Sequence, residues 1–205
     1  MWRHGRTAWN VAGRFQGHSD IELDAVGRQQ AVERARLLAA FEPDAIVSSD
    51  LARAAATADE LARLTGLSVS LDPDLREICG GRWEGRTSES IGAEDLTAYD
   101  AWRRGDPVRA GGDGETRFEV GPRAVGAIRR ALDAPGAPRN LVVVTHGGTA
   151  RAAIGLLLGL PEAAWMRLGG LGNCCWSVLQ EWQGGWELVE HNAGTLPEPV
   201  IGDDA

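Results

Sequence analysis

A chain of 205 residues with 43% apolar residues has the composition of an ordinary globular protein and is long enough for one sizeable α/β core. Its net charge of −8 opposes binding to a nucleic-acid backbone or an anionic membrane, and no run approaches the roughly 20 apolar residues of a membrane helix. All 21 basic residues are Arg, which excludes Schiff-base and P-loop lysine chemistry and leaves guanidinium forks as the means of holding an anion. No signal-peptide pattern precedes the first polar cluster, so a cytoplasmic setting is expected, with Cys79, Cys174 and Cys175 as reduced thiols.

The opening M-W-R-H-G-R-T-A-W-N is polar and has no apolar period, as a ligand loop would be. Gly27 to Phe41 sets Ala31, Ala35 and Leu38 at helical spacing and predicts an amphipathic helix. Ala45-Ile46-Val47 reads as a short strand closing on Ser48-Ser49-Asp50. Asp50 is the expected N-cap of a second helix with the buried stripe Leu51, Ala55, Ala58, Leu61 and Ala62. Leu67 to Leu71 reads as a strand, Ser88 to Arg104 and Thr116 to Asp133 as helices, and Gly105 to Gly114 as a loop. Asn140 to Thr145 is a near-continuous apolar run, the mark of a parallel strand buried on both faces. A helix from Thr149 to Leu158 follows and stops at Gly159 and Pro161. Trp176 to Trp182 and Trp186 to His191 flank Gln183-Gly184-Gly185 as a hairpin. One domain over 1–192 is expected, with an acidic tail at 193–205. Alternating strands and helices predict an open, mostly parallel α/β sheet with helices on both faces.

Three polar clusters each follow a predicted strand: Arg3-His4-Gly5, Ser48 to Arg53, and Thr145-His146-Gly147-Gly148. In an open parallel sheet, ligands sit outside the carboxyl ends of the strands, so these clusters can meet in one crevice. Two histidines and two arginines there would make an anion site. Alone, His4 or His146 reads as a packed or surface histidine, Arg53 as a solvated helix residue and Arg3 as a surface one; two His-Gly pairs at strand ends make a ligand site an equal reading. The glycine after each histidine would let the backbone approach a ligand closely. A metal site built from the histidines with Glu77 lacks an H-E-x-x-H or other close ligand pair.

Taken in order, R-H-G-R-T-x-W-N, S-S-D-L-x-R-A-x-x-T-A, L-R-E-I-x-x-G-x-W-E-G and T-H-G-G resemble the histidine phosphatase superfamily, phosphoglycerate-mutase-like branch, over residues 2–192. The resemblance implies that His4 is the nucleophile that becomes phosphohistidine. It implies that Arg3, Arg53 and His146 line the phosphate pocket, with Asn10, Gln16 and Gly147 as further contacts. Glu77 would protonate the leaving alkoxide and then activate water. No metal or cofactor is implied; the partner is a small-molecule phosphomonoester, and family members often form homodimers. A non-catalytic phosphate binder would have no use for Glu77. The compact Gly85 to Gly114 segment and G-D-G-E-T-R at Gly112 to Arg117 favour hydrolysis over mutase activity. L-G-G-L-G-N at Leu168 to Asn173, the following W-S-V-L and the pair His191-Asn192 resemble members of the phosphatase branch, and this resemblance implies glucosyl-3-phosphoglycerate or a related sugar or glycerate phosphate as substrate. Arg14, Trp83 and the 168–175 loop are expected near the leaving group, Trp83 reading equally as core. Only Met1 and Trp2 precede R-H-G, where the resemblance implies a longer central strand. Such a stub is expected to expose ladder groups of both neighbouring strands.

Overall fold

The apolar run predicted as the most deeply buried strand lies near the middle of the sheet, flanked by strands on both sides. The computed structural model describes residues 1–194. In chain order the elements are β1 (Trp2–Arg3), α1 (Ala8–Val11), α2 (Ala25–Ala39), β2 (Ala45–Ser48), α3 (Ala52–Thr65), β3 (Val69–Leu71), α4 (Ser88–Glu94), α5 (Leu96–Arg104), α6 (Arg117–Leu132), β4 (Leu141–Thr145), α7 (Gly147–Leu157), β5 (Trp176–Trp182) and β6 (Gly185–Ala193). The sheet order is β3-β2-β4-β1-β5-β6. The first four strands of that order run parallel, while β5 and β6 form the antiparallel hairpin.

Strand alternation distributes the core over two layers. Ile46 and Val144 point to one face, against Ala31, Ala35 and Leu38 of α2 and Ala54, Ala58 and Leu61 of α3. Val47 and Val143 point to the other, against Ala124, Val125 and Ile128 of α6 and Ala153 of α7. The helices therefore cover both faces of a mostly parallel sheet. A third cluster, centred on Phe15, Trp83, Trp102 and Trp165, lies under the loop-rich segment between β3 and α6.

Three boundaries differ from expectation. Asp50 does not cap α3: Leu51 occupies the N-cap position without a side-chain bond, and Asp20 Oδ1 accepts from Ala52 N at 2.7 Å. Asp50 pairs with Arg76 instead, which holds its carboxyl below the usual range. The helix expected over Ser88 to Arg104 breaks into α4 and α5 at Asp95, whose extended backbone and side-chain bond to Ala98 N start a new helix. Inside the Gly105 to Gly114 loop, Ala110–Gly112 forms a 3-10 turn. At the hairpin, Gln183 and Gly184 both take positive φ, 51° and 80°, the left-handed pair of a tight two-residue turn.

β1 is two residues long, yet it pairs with both neighbours. Trp2 and Arg3 lie opposite Val144 and Thr145, Arg3 N donates to Cys175 O at 3.0 Å, and Ser177 N donates to Met1 O at 2.8 Å. Beside Met1 a cavity of about 180 Å³ lies between Leu141 and Val143 of β4 and Val178 of β5. Residues 195–205, which hold most of the expected tail, lie outside the described residues.

Candidate active site

The strand order places the ends of β2, β4 and β1 side by side, and the three polar clusters meet there. Arg3 lies opposite Thr145 in the parallel ladder, so the next residues, His4 and His146, emerge as neighbours. Their ring centroids are 5.1 Å apart. Arg3, His4, Arg53 and His146 are all at most 2% exposed. Two guanidiniums and two imidazoles buried together make a surrounding that favours an anionic ligand.

Hydrogen bonds define both tautomers. His4 Nδ1 lies 2.7 Å from Gly5 O, which can only accept, so Nδ1 carries the proton and Nε2 presents its lone pair. His146 Nδ1 accepts from Arg53 Nε at 3.2 Å, so its Nε2 carries the proton toward Ser49 Oγ at 2.9 Å. Burial, then the Arg53 and Arg3 guanidinium charges, push His4 well below the ordinary histidine value. Burial, then Arg53 and His4, push His146 the same way. Both rings are neutral near pH 7, as a nitrogen nucleophile requires.

The arginines are fixed by carbonyls remote in sequence. Arg3 Nη1 donates to Leu171 O at 2.6 Å. Arg53 Nη1 and Nη2 donate to Ser19 O and Gly17 O, each at 2.8 Å, and so tie the 17–19 loop to α3. Glu84 holds that loop from outside by accepting from His18 N and Ser19 N. The α1 turn supplies Asn10. Its Oδ1 accepts from Thr7 N, Thr7 Oγ1 and Asn173 Nδ2, which orients the amide. Asn10 Nδ2 is buried without a hydrogen-bond partner, a donor waiting for an acceptor oxygen. Gln16, 2% exposed, is linked into the same group through Thr7 Oγ1.

Glu77 sits at the amino end of α7. Its Oε1 accepts from Ile78 N and Thr149 N at 2.9 and 3.0 Å, and its Oε2 accepts from Gly148 N at 3.1 Å. Three main-chain N–H groups and the amino end of the α7 dipole thus face the carboxyl group. Gly148 is required by that contact, because a Cβ there would lie 2.8 Å from Glu77 Oε1. Gly147 opens α7 directly after His146.

Two expectations change. Gly5 makes room for packing rather than for a ligand: a Cβ there would fall 2.4 Å from Gly27 O of α2. Trp83 is 6% exposed and packs edge-on against Tyr99 and Trp102 and tilted against Phe15, which makes it a core residue rather than a substrate surface. Arg14 is exposed and donates to Gly85 O. Ser49 and Asn173 were expected only as parts of the 48–53 cluster and the 168–175 loop; the structure sets Ser49 against His146 Nε2 and has Asn173 donate to both His4 O and Asn10 Oδ1. Sequence reasoning missed Arg123, whose guanidinium donates to Asp74 O, Arg76 O and Glu77 O and pairs with Glu115. Nothing in the local pattern marks these residues, because each partner lies far away in the chain. Among the described residues, no three His, Cys, Asp or Glu side chains cluster as a metal site, and no helix is long and apolar enough to cross a membrane.

Comparison with known proteins agrees with this geometry. The family model for the histidine phosphatase superfamily (branch 1) matches residues 1–194. A glucosyl-3-phosphoglycerate phosphatase of Mycobacterium tuberculosis is 42% identical, over 94% of this chain and 93% of its own. A probable phosphoglycerate mutase of Cronobacter sakazakii is 37% identical, over 90% of this chain and 85% of its own. The structure of a mycobacterial glucosyl-3-phosphoglycerate phosphatase complexed with VO3 superposes with a TM-score of 0.88 at 41% identity, covering 95% of this chain and 98% of that one. With the paired histidines, the buried arginines and the sheet order all in place, this chain belongs to the histidine phosphatase superfamily, branch 1.

Proposed function

We propose that this protein is a phosphomonoesterase that cleaves small phosphorylated metabolites through a phosphohistidine at His4 Nε2. The tautomer of His4 carries the reading: a neutral ring with Nδ1–H tied to Gly5 O aims a free Nε2 lone pair into a pocket of buried cationic groups. Nε2 attacks phosphorus in line, the bond to the ester oxygen breaks, and Arg3, Arg53 and Asn10 Nδ2 stabilise the charge on the equatorial oxygens, joined by His146 as its Nε2–H turns from Ser49 Oγ to the same oxygens. The departing oxygen takes a proton from Glu77. Water then attacks the phosphohistidine while Glu77 accepts its proton, releasing phosphate and restoring His4. An arriving phosphoryl dianion favours the protonated form of Glu77 that this step needs. The arginines supply the charge compensation that this scheme needs, so turnover is expected to persist in EDTA.

The proposed substrate is glucosyl-3-phosphoglycerate or a related sugar or glycerate phosphate, met in the cytoplasm. The mycobacterial likeness supports this, and so does the 168–175 loop, since Leu171 O and Asn173 contact Arg3, His4 and Asn10 directly. Gln16 and Arg14 are the remaining proposed contacts. Phosphate release is to be measured in EDTA from glucosyl-3-phosphoglycerate, 3-phosphoglycerate, α-ribazole phosphate, several sugar phosphates and an aryl phosphate. Preferred release from the first of these supports the reading. Isomerisation of 3-phosphoglycerate without phosphate release would make the chain a mutase. His4→Ala is expected to abolish turnover while still binding inorganic phosphate, and undiminished turnover in that variant would overturn the mechanism.

A further inference from the structure

Thr149, in the first turn of α7, has one hydroxyl proton and two acceptors. Its Oγ1 lies 2.8 Å from Arg76 O and 3.1 Å from Glu77 Oε1. Only one of these bonds can exist at a time with Thr149 as donor. Oε1 already takes two main-chain donors, Ile78 N and Thr149 N, against one, Gly148 N, on Oε2. When Glu77 is an acid, its proton therefore belongs on Oε2, and Oε1 has little charge to attract a third donor. When Glu77 is a carboxylate, Oε1 carries part of the negative charge and outcompetes a neutral carbonyl.

We propose that Thr149 is a positioning residue whose hydroxyl turns between Arg76 O and Glu77 Oε1, following the charge on Glu77 through the catalytic cycle. This inference rests on the acid–base role proposed for Glu77. As Oε2–H passes its proton to the departing ester oxygen, the O–H electron pair stays on Oε2. The Thr149 hydroxyl then swings from Arg76 O to Oε1 and stabilises the new carboxylate. It swings back when Glu77 takes a proton from the attacking water. No heavy atom has to move, because both acceptors are already within reach. Arg76 O does not lose its only partner when the hydroxyl leaves, since Arg123 Nη1 also donates to it at 2.8 Å.

The other charged and titratable groups around Glu77 are held independently of Thr149. Arg123 of α6 donates to Glu77 O at 3.0 Å and is paired with Glu115. His18 of the 16–20 loop reaches Glu77 O through Nε2 at 2.9 Å. The Arg76 guanidinium is engaged by Asp50, and His146 by Arg53 and Ser49. A change at Thr149 thus alters one donor to the carboxylate and leaves this surrounding charge in place.

The test is the pH dependence of kcat/KM for an alkyl phosphate, glycerol 3-phosphate, in the whole protein. Removing a donor to the anion makes Glu77 keep its proton to higher pH. Thr149→Val is therefore expected to move the alkaline limb upward by about one pH unit, and Thr149→Ser is expected to return it. Thr149→Ala gives the same reading should the valine variant not fold. A limb that stays in place in the Val and Ala variants, with only kcat or Tm lowered, would reduce Thr149 to a structural residue and overturn the inference. Glu77→Gln separates this failure from failure of its premise. In kcat/KM, which reports phosphoryl transfer to His4 and not the later attack of water, it should lose glycerol 3-phosphate far more than p-nitrophenyl phosphate, whose leaving group needs no proton. If Glu77→Gln hydrolyses both esters like the wild type, the acid role of Glu77 falls, and the Thr149 inference falls with it.

Discussion

Acidification from about pH 7.5 to about pH 5.5 should destabilise this fold before its carboxylates begin to titrate. His4 and His146 are buried and neutral in the native state, whereas in the unfolded chain each titrates at its ordinary value of 6.5. The unfolded state therefore binds more protons, and stability falls as pH falls below 6.5. For groups that stay neutral in the native state, the loss across this interval is on the order of 1 kcal/mol each, so the pair contributes a few kcal/mol. That is a large share of the 5–15 kcal/mol typical of a domain. Burial also pushes the Met1 amine down to about 5 and lowers His18, and both add with the same sign. Asp50, Glu115 and Glu119, whose carboxyls are lowered by their partners, lose their contributions only at more acidic pH. Urea unfolding at several pH values, compared between wild type and His4→Gln/His146→Gln, isolates the histidine share. The double variant should lose less over the interval, by on the order of 1 kcal/mol per histidine. Parallel pH dependences in the two proteins would refute the account of a neutral buried pair.

Gly148→Ala places a methyl 2.8 Å from Glu77 Oε1 and 2.7 Å from Ile78 Cδ1. Shifting the proposed acid in this way is expected to lower kcat by roughly 100-fold in a phosphate-release assay, with a smaller change in KM. Asn173→Ala removes donors to His4 O and Asn10 Oδ1, and is expected to weaken inorganic phosphate inhibition by about 10-fold. A calorimetric titration checks it directly. Leu61→Ala, at a fully buried position between α3 and the sheet, should cost about 2–5 kcal/mol in urea unfolding without altering kcat.

The parallel sheet was legible in the chain because its signals are local. The Leu141–Thr145 run has the continuous apolar character of a strand covered on both sides, and the Ala31, Ala35 and Leu38 spacing marks a helix with one buried face. The convergence of His4, Arg53 and His146 was legible for a topological reason, since each follows a strand that runs the same way in one sheet. Local signals misled where a competing partner lay far off. Asp50 has the chemistry of a helix cap, yet Arg76 offers it a charged, two-pronged bond that a single main-chain N–H does not match.

Tertiary structure alone decided how the site works. That Gly5 serves packing against Gly27, that Trp83 belongs to an aromatic core, and that Asn173 orients Asn10 are facts about distances between segments well separated in the chain. The same holds for the electrostatics. The residue types at positions 4, 53, 77 and 146 are written in the sequence, but burial and hydrogen-bond donors set their charge states. His4 becomes a neutral nucleophile because its ring is desolvated beside two guanidiniums and its Nδ1 proton is held by Gly5 O. The Glu77 carboxyl is held in place by main-chain N–H groups because α7 begins beneath it. Sequence carries the identity and order of these groups. Their protonation depends on solvent exclusion and on partners brought from elsewhere in the chain, and those exist only once the chain has folded.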